Sequence, residues 1–152
     1  MAEDSSLLLT IGPHQMFMSP KTIIKVTEYI VKEEVIKCQV FLKVGKVWAW
    51  VTKVVGRMID FEIETEYALA GVRGTVFAVE FNEETGVTWV YVDQGEVEVA
   101  DKLRRRVRLY AGFETCVVPG KPPETPEKGK QLKGEKPDFQ NKPTENTAGP
   151  GE

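Results

Sequence analysis

A ten-residue run in the middle of the chain constrains the fold more than any other segment. Residues 68–77 read Ala-Leu-Ala-Gly-Val-Arg-Gly-Thr-Val-Phe, with a glycine on each side of Val72 and Arg73. Acidic and mainly apolar residues alternate before the run, in Asp60 to Glu66, and β-branched and aromatic residues follow it, in Val76 to Phe81. Both flanks are typical of β-strands. The run therefore predicts a tight corner that joins two strands.

Period-two alternation of apolar residues extends over most of the first 118 residues and predicts an all-β domain. Thr22 to Val31 also fits helical spacing, but its β-branched residues favour a strand. Two similar glycine turns, Val44 to Val47 and Gln94 to Val97, indicate stacked strand and turn units. We expect a compact β-roll or sandwich with solenoid-like character. The predicted strands are 22–31, 35–44, 47–51, 59–66, 74–81, 87–92, 95–100, 106–110 and 113–118.

The composition changes after Val118. Seven of the nine prolines fall in residues 119–152, among Lys, Glu, Gly, Thr and Asn, and Leu132 and Phe139 are the only large apolar residues there. Such a segment buries too little apolar surface to offset the entropy lost on ordering. We predict one β domain over residues 1–118 and a disordered Pro/Lys/Glu-rich tail over 119–152.

Composition narrows the classes of partner and compartment. A net charge of −3 gives no overall attraction to nucleic acid or to anionic membranes, and no apolar run approaches the length of a membrane span. The first residues do not resemble a secretory signal, because acidic residues occupy the place of its basic region. Cys38 shares its strand face with apolar residues, so a buried, unreactive thiol is favoured over a disulfide with Cys116.

No constellation of residues predicts catalysis, a cofactor or a metal site. His14, the single histidine, follows Gly12 and Pro13, so we expect it to be exposed in a turn without a triad partner. The glycine run lacks the spacing and the lysine of a phosphate-binding loop. The sequence predicts a non-enzymatic protein with no cofactor.

Four residues of the glycine run are the first candidate site: Gly71, Arg73, Gly74 and Thr75. Arg73 is the only base in an otherwise acidic stretch, so it could tie strands together through carboxylates. In that interpretation the glycines supply unusual backbone angles or allow close chain approach. The functional alternative is that Arg73 and Thr75 lie at a surface that docks a partner.

A second candidate partner surface combines aromatic and basic residues, namely Trp48, Trp50, Arg104, Arg106 and Arg108. The two tryptophans share one strand face, and burial in the core is favoured over exposure. We expect the arginines to pair with the many glutamates, which disfavours nucleic-acid binding. The stripe of Glu62, Glu64 and Glu66 is expected to be a solvated face, with a glycan or calcium site as the minority interpretation.

Several linked segments resemble the FecR domain family. The corner run matches an A-x-A-G-x-R-G-T-x-F pattern, residues 42–49 resemble L-x-x-G-x-V-W-A, residues 91–99 resemble V-x-x-G-x-V-E-V, and residues 107–114 resemble V-x-L-x-A-G. The resemblance covers roughly residues 5–120. It implies a compact β-roll that recognises proteins in signalling or regulation at the bacterial envelope, outside the cytoplasm or at the cell surface.

The resemblance also leaves two alternatives open. Binding of carbohydrate or peptidoglycan is the alternative function, and a cytoplasmic variant is the alternative location because no signal peptide is seen. Residues 5–13 resemble a stretch from the middle of the family's domain, so we expect one or two further strands upstream. The family's relay to a sigma factor is not carried over, because no sigma-binding helical region is recognisable.

Overall fold

The computed structural model describes residues 6–132, 136, 137 and 139. This part of the chain forms twelve β-strands and no helix, which confirms the predicted all-β class. The strands are β1 (Leu7–Ile11), β2 (His14–Met18), β3 (Ile23–Val31), β4 (Val35–Val51), β5 (Met58–Glu64), β6 (Ala68–Val72), β7 (Thr75–Asn82), β8 (Val87–Gln94), β9 (Glu96–Asp101), β10 (Arg106–Tyr110), β11 (Phe113–Val117) and β12 (Glu127–Lys128).

Two sheets share the long strand β4. Sheet A runs in the order β1, β2, β4, β7, β8, β11, β12, and uses the second half of β4. Sheet B runs in the order β3, β4, β5, β6, β9, β10, and uses the first half. The pairing of β4 with β5 is parallel, and the other pairings are antiparallel.

The core lies between the two sheets, because alternate residues of each strand point inward. Phe61 from sheet B meets Phe77 from sheet A edge to face, with ring centroids 6.4 Å apart. Both phenylalanines are fully buried, as are Val40 and Val47 on the two halves of β4. The sequence therefore folds as a curled sandwich around one continuous apolar layer.

Within the described residues the chain passes from one sheet to the other six times, and three of these crossings coincide with glycine signals in the sequence. β4 crosses at Gly45, whose φ is +110°, and β8 leads into β9 at Gly95, whose φ is +88°. These are the two glycine turns that the sequence repeat indicated. The third crossing is the predicted corner, which joins β6 of sheet B to β7 of sheet A.

The first part of the predicted tail is attached to the outer face of sheet A. Gly129 N–H donates to the Gly112 carbonyl, and the buried Glu114 carboxylate accepts N–H bonds from Lys130 and Gln131 at 2.8 and 3.0 Å. Leu132 is 1% exposed. Disorder therefore does not begin at residue 119. Most of 133–152, where disorder was also predicted, lies outside the described residues.

The structure differs from the sequence-based strands in three places. The predicted strands 35–44 and 47–51 are one strand, because Gly45 bends the chain while the pairing continues. Strands β1 and β2 form a hairpin where Gly12 and Pro13 suggested only a loop. A further strand, β6, contains Gly71. Residues 52–57 connect β4 to β5 without regular secondary structure.

The prediction that His14 is exposed in a turn is wrong. His14 begins β2 and is 0% exposed. Its Nδ1 accepts a hydrogen bond from Thr52 N–H at 3.1 Å, and its ring meets Phe61 edge to face. The Gly12-Pro13 turn is real, but the alternation of β2 sends the next side chain inward.

Candidate functional site

The corner between β6 and β7 contacts the crossing between β8 and β9. Thr75, at the start of β7, is 4% exposed, and its Oγ1 donates to the Glu96 carbonyl at 2.9 Å. Across the contact, a Cβ on Gly95 would lie 2.7 Å from the Gly74 carbonyl oxygen. The two crossings are therefore bonded and closely packed at the corner.

A groove of about 680 Å³ opens beside this corner on the outer face of sheet B. All four residues of the first candidate site line it, and Lys53 from the 52–57 connection lies at the same end. Acidic residues from neighbouring strands complete the walls, namely Asp60, Glu62, Glu96 and Glu98, together with Arg108. We call this the corner groove.

Gly71 forms the floor of the corner groove. It pairs with Glu62 on one neighbouring strand and with Glu98 on the other, so two carboxylate-bearing residues flank a position that has no side chain. Its φ is not positive, and an added Cβ would meet only Glu62 Cγ, at 3.9 Å. The expectation that Gly71 supplies an unusual backbone angle or a close chain approach is therefore not met.

Gly74 allows a close approach, but to a side chain. A Cβ there would lie 2.5 Å from Cγ of Lys53, whose stem crosses the corner. Its φ, like that of Gly71, is outside the left-handed region. The corner therefore depends on the positive φ of Gly95 rather than on its own two glycines.

The cations at the corner end of the groove are exposed and unpaired. Arg73 and Lys53 make no hydrogen bond or ion pair with any residue that the structure describes. The sequence suggested that Arg73 might tie strands together through carboxylates, and no such bond is found within 6–132. Its guanidinium is available to a molecule outside the chain.

Carboxylates of β5 line the same groove as the cations of the corner. Glu62 accepts a hydrogen bond from the neutral Gln39 amide at 2.8 Å, and Asp60 has no ion pair among the described residues. Glu28 is the main cause of the raised pKa of Lys37 on β4, and the charges of Asp60 and Glu62 raise this pKa further. The groove is therefore lined by charges of both signs.

The arginine cluster pairs with glutamates, as expected. Arg108 contacts Glu96 at 2.7 Å, and Arg106 contacts Glu98 at 3.4 Å, across β9 and β10. Arg104 instead lies in the preceding turn with a φ of +65°. Since both pairs are half exposed, they neutralise this edge of sheet B rather than adding much stability.

The tryptophans lie on a different sheet from the arginines. Trp48 is 1% exposed on the outer face of sheet A, where it meets Tyr91 edge to face and packs under Leu132. Trp50 is half buried on the same face, against Phe139. The five residues of the second candidate site therefore do not form one surface.

Trp50 nevertheless lies near the corner. A smaller hollow of about 370 Å³ connects it with Lys53, Gly74, Thr75 and Gly95 on the side of sheet A. The corner is thus the ridge between two hollows, and Lys53 lines both of them.

Both cysteines are free, buried thiols. Burial raises the pKa of Cys38 to about 11, and burial followed by nearby glutamates raises the pKa of Cys116. A thiol with a raised pKa is a poor nucleophile at neutral pH. This agrees with the unreactive thiol expected for Cys38.

Long-range pairing supplies the groove residues that sequence reasoning did not select. Lys53, Asp60, Glu96 and Glu98 come from three other segments, and only the order of the strands brings them to the corner. One sequence signal was available for Glu96, since it follows the repeated glycine turn.

The described residues contain no helix, and therefore none that is long and apolar enough to span a membrane.

Comparison with known proteins agrees with the fold. Two crystal structures, at 2.50 and 1.65 Å resolution, of a candidate anti-sigma factor from Parabacteroides distasonis match with a TM-score of 0.70 and 18% identity. The match covers 87% of this chain and 59% of that protein, so this chain spans about three fifths of that protein's length. No curated protein matches the sequence.

The sequence profile of the FecR protein family matches residues 13–98, which is more than half of the chain and includes the corner. The chain belongs to the FecR family.

Proposed function

We propose that this chain is a non-enzymatic interaction and sensing module of envelope signalling, and that it docks a protein partner at the corner groove. The observation that carries the proposal is that Arg73 and Lys53, both exposed and without a partner among the described residues, line one groove. The likeness to an anti-sigma factor candidate adds support for a protein partner. We place the module outside the cytoplasm, by its family.

The packing of the corner backbone favours docking. A preorganised surface loses less conformational entropy on binding than a mobile loop does. The Thr75 hydroxyl bond and the close approach of Gly95 to Gly74 fasten the backbone next to Arg73. The exposed Arg73 contributes little to folding, so its loss should affect partner binding selectively.

Binding of carbohydrate or peptidoglycan is the alternative function. It depended on exposed aromatic rings and on an acidic stripe. Trp48 is buried, and Glu64 in the stripe pairs with Lys102 at 2.6 Å. Trp48 is thus not available to stack on a sugar, and Glu64 is already paired. Carbohydrate binding is therefore kept as one possible outcome of the test below.

Site-specific photo-cross-linking in cells that carry the native gene tests the proposal. A benzophenone amino acid replaces Arg73 in one variant and Glu83, in the exposed turn after β7, in the control. We expect a discrete protein adduct from position 73 and none from position 83. Sedimentation with purified peptidoglycan, combined with no adduct at 73, would support the alternative.

The thermal stability of Arg73→Ala completes the test. Because Arg73 has no partner among the described residues, we expect an unchanged melting temperature and a weaker adduct from a benzophenone placed nearby, at Lys53. An intact adduct with a lowered melting temperature would assign Arg73 a structural role and overturn docking at this residue.

A further inference from the structure

We infer that the corner groove receives a basic side chain of the partner, carried on an extended segment and laid over Gly71 between Glu62 and Glu98. This inference rests on the proposed docking function. It adds the chemistry of the partner, which family membership does not specify.

The first argument is the empty position at Gly71. Glycine inside a strand weakens it, and such a glycine often marks a place where a ligand or another backbone comes close. No described residue requires it, because φ is not positive and an added Cβ would meet only one atom of that part of the chain within 4 Å, at 3.9 Å. The hollow is therefore available to a group from another molecule.

The second argument is the charge around the hollow. The positions directly beside Gly71 on both neighbouring strands are glutamates, and Asp60 lies one pleat further along β5. Glu98 already has arginine partners, whereas among the described residues Glu62 is hydrogen-bonded by the neutral Gln39 amide and shares the more distant Lys37 with Asp60 and Glu28. A lysine or arginine of a partner would form its charge-assisted hydrogen bond with Glu62, and Asp60 would add to the attraction.

The test uses three acetylated and amidated pentapeptides of sequence Thr-Val-X-Val-Thr, with Lys, Arg or Glu at X. Each is titrated into the ¹⁵N-labelled full chain, and amide shifts are followed by NMR. We expect Gly71 and its neighbours Glu62 and Glu98 to shift with the Lys and Arg peptides and not with the Glu peptide.

Two variants separate the inference from general electrostatics. Gly71→Val fills the hollow and Glu62→Gln removes one charge with little change of shape. We expect each to weaken binding of the Lys peptide about tenfold, the size of one lost charge-assisted hydrogen bond. Equal shifts in Gly71→Val, or a preference for the Glu peptide, would overturn the inference.

Failure of the inference and failure of the proposed function give different results. An adduct at position 73 with no binding of the basic peptides would support docking of a partner but contradict the inference that the groove receives a basic side chain. Loss of the adduct at 73 would remove the docking function itself, and the inference with it.

Discussion

At the scale of single residues, two glycines near the corner are present for different physical reasons. Gly95 has a positive φ, and a Cβ there would lie 2.7 Å from a backbone oxygen, so no other residue fits without strain. Gly71 has neither constraint. Gly95 therefore serves folding, whereas Gly71 is free of both constraints and is the position at which we propose that a partner lies.

This difference predicts opposite effects of alanine. Gly71→Ala should stabilise the fold by roughly 0.5–1 kcal/mol, because glycine costs about that much inside a strand. Gly95→Ala should destabilise it by roughly 1–3 kcal/mol, the cost of a strained backbone. Urea unfolding of both variants and of the parent checks the pair. A destabilised Gly71→Ala would indicate that this glycine is structural.

The buried His14 predicts a stability that falls below neutral pH. Desolvation lowers its pKa from 6.5 to about 4, so between these values the unfolded chain binds a proton that the folded chain does not. The contribution of the neutral His14 to the free energy of unfolding is therefore fully present above pH 6.5, and it is lost as the pH falls toward 4. Between pH 7 and 5 we expect a loss of about 2 kcal/mol.

The variant His14→Asn tests the assignment of this loss. Asparagine offers an oxygen near the place of Nδ1 to accept the bond from Thr52 N–H, and it does not titrate. Urea unfolding at pH 7 and pH 5 should show a smaller difference for this variant than for the parent. An equal difference in both proteins would assign the pH dependence to other groups.

At this scale the sequence identified the corner residues but not their surroundings. The glycine run marked Arg73 and Thr75, because local signals are contained in neighbouring residues. It could not supply Lys53, Glu62 or Glu98, which reach the groove only through pairing between distant strands. His14 was misjudged because a Gly-Pro turn outweighed the alternation that follows it.

At the scale of elements, strand existence was easier to predict than strand continuity. The strand β10, 106–110, was predicted with its observed bounds, since turns on both sides end the alternation. In β4 a glycine was interpreted as a break, although it only changes the direction of a strand that pairs with one sheet and then the other. β6 was missed because Gly71 reduces its strand propensity.

The C-terminal segment is the element for which composition misled most. Residues 119–132 are rich in Pro and Lys, but Leu132 enters a cluster with Trp48, Val76 and Tyr91. Glu114 receives the backbone N–H groups just before it. Composition averages over a segment, whereas attachment here depends on one leucine and one carboxylate.

We therefore expect Leu132→Ala to destabilise the fold by about 2–4 kcal/mol, the usual cost of truncating a buried leucine. Tryptophan fluorescence of the folded variant should shift to longer wavelength as Trp48 gains contact with water. Lys128→Ala, at an exposed position of β12, is the matched control and should change neither quantity. Equal behaviour of the two variants would mean that the segment does not cover sheet A.

At the scale of the whole molecule, the two sheets form one unit because β4 belongs to both and the corner joins them again. Cys38 lies inside this unit at 1% exposure, whereas Cys116 lies on β11, in register with Trp89, beneath the C-terminal segment. The two thiols therefore become accessible to reagents through different unfolding events. Cys38 requires global unfolding, and Cys116 requires only detachment of the segment.

Labelling with iodoacetamide across a urea series, with mass spectrometry of each cysteine, checks this expectation. Cys38 should react with the same midpoint as the loss of β-sheet circular dichroism, since its raised pKa and burial protect it until the core opens. Cys116 should react at lower urea, and Leu132→Ala should lower that midpoint further. If both cysteines react together in the parent and in Leu132→Ala, the segment and the two sheets unfold as a single cooperative unit.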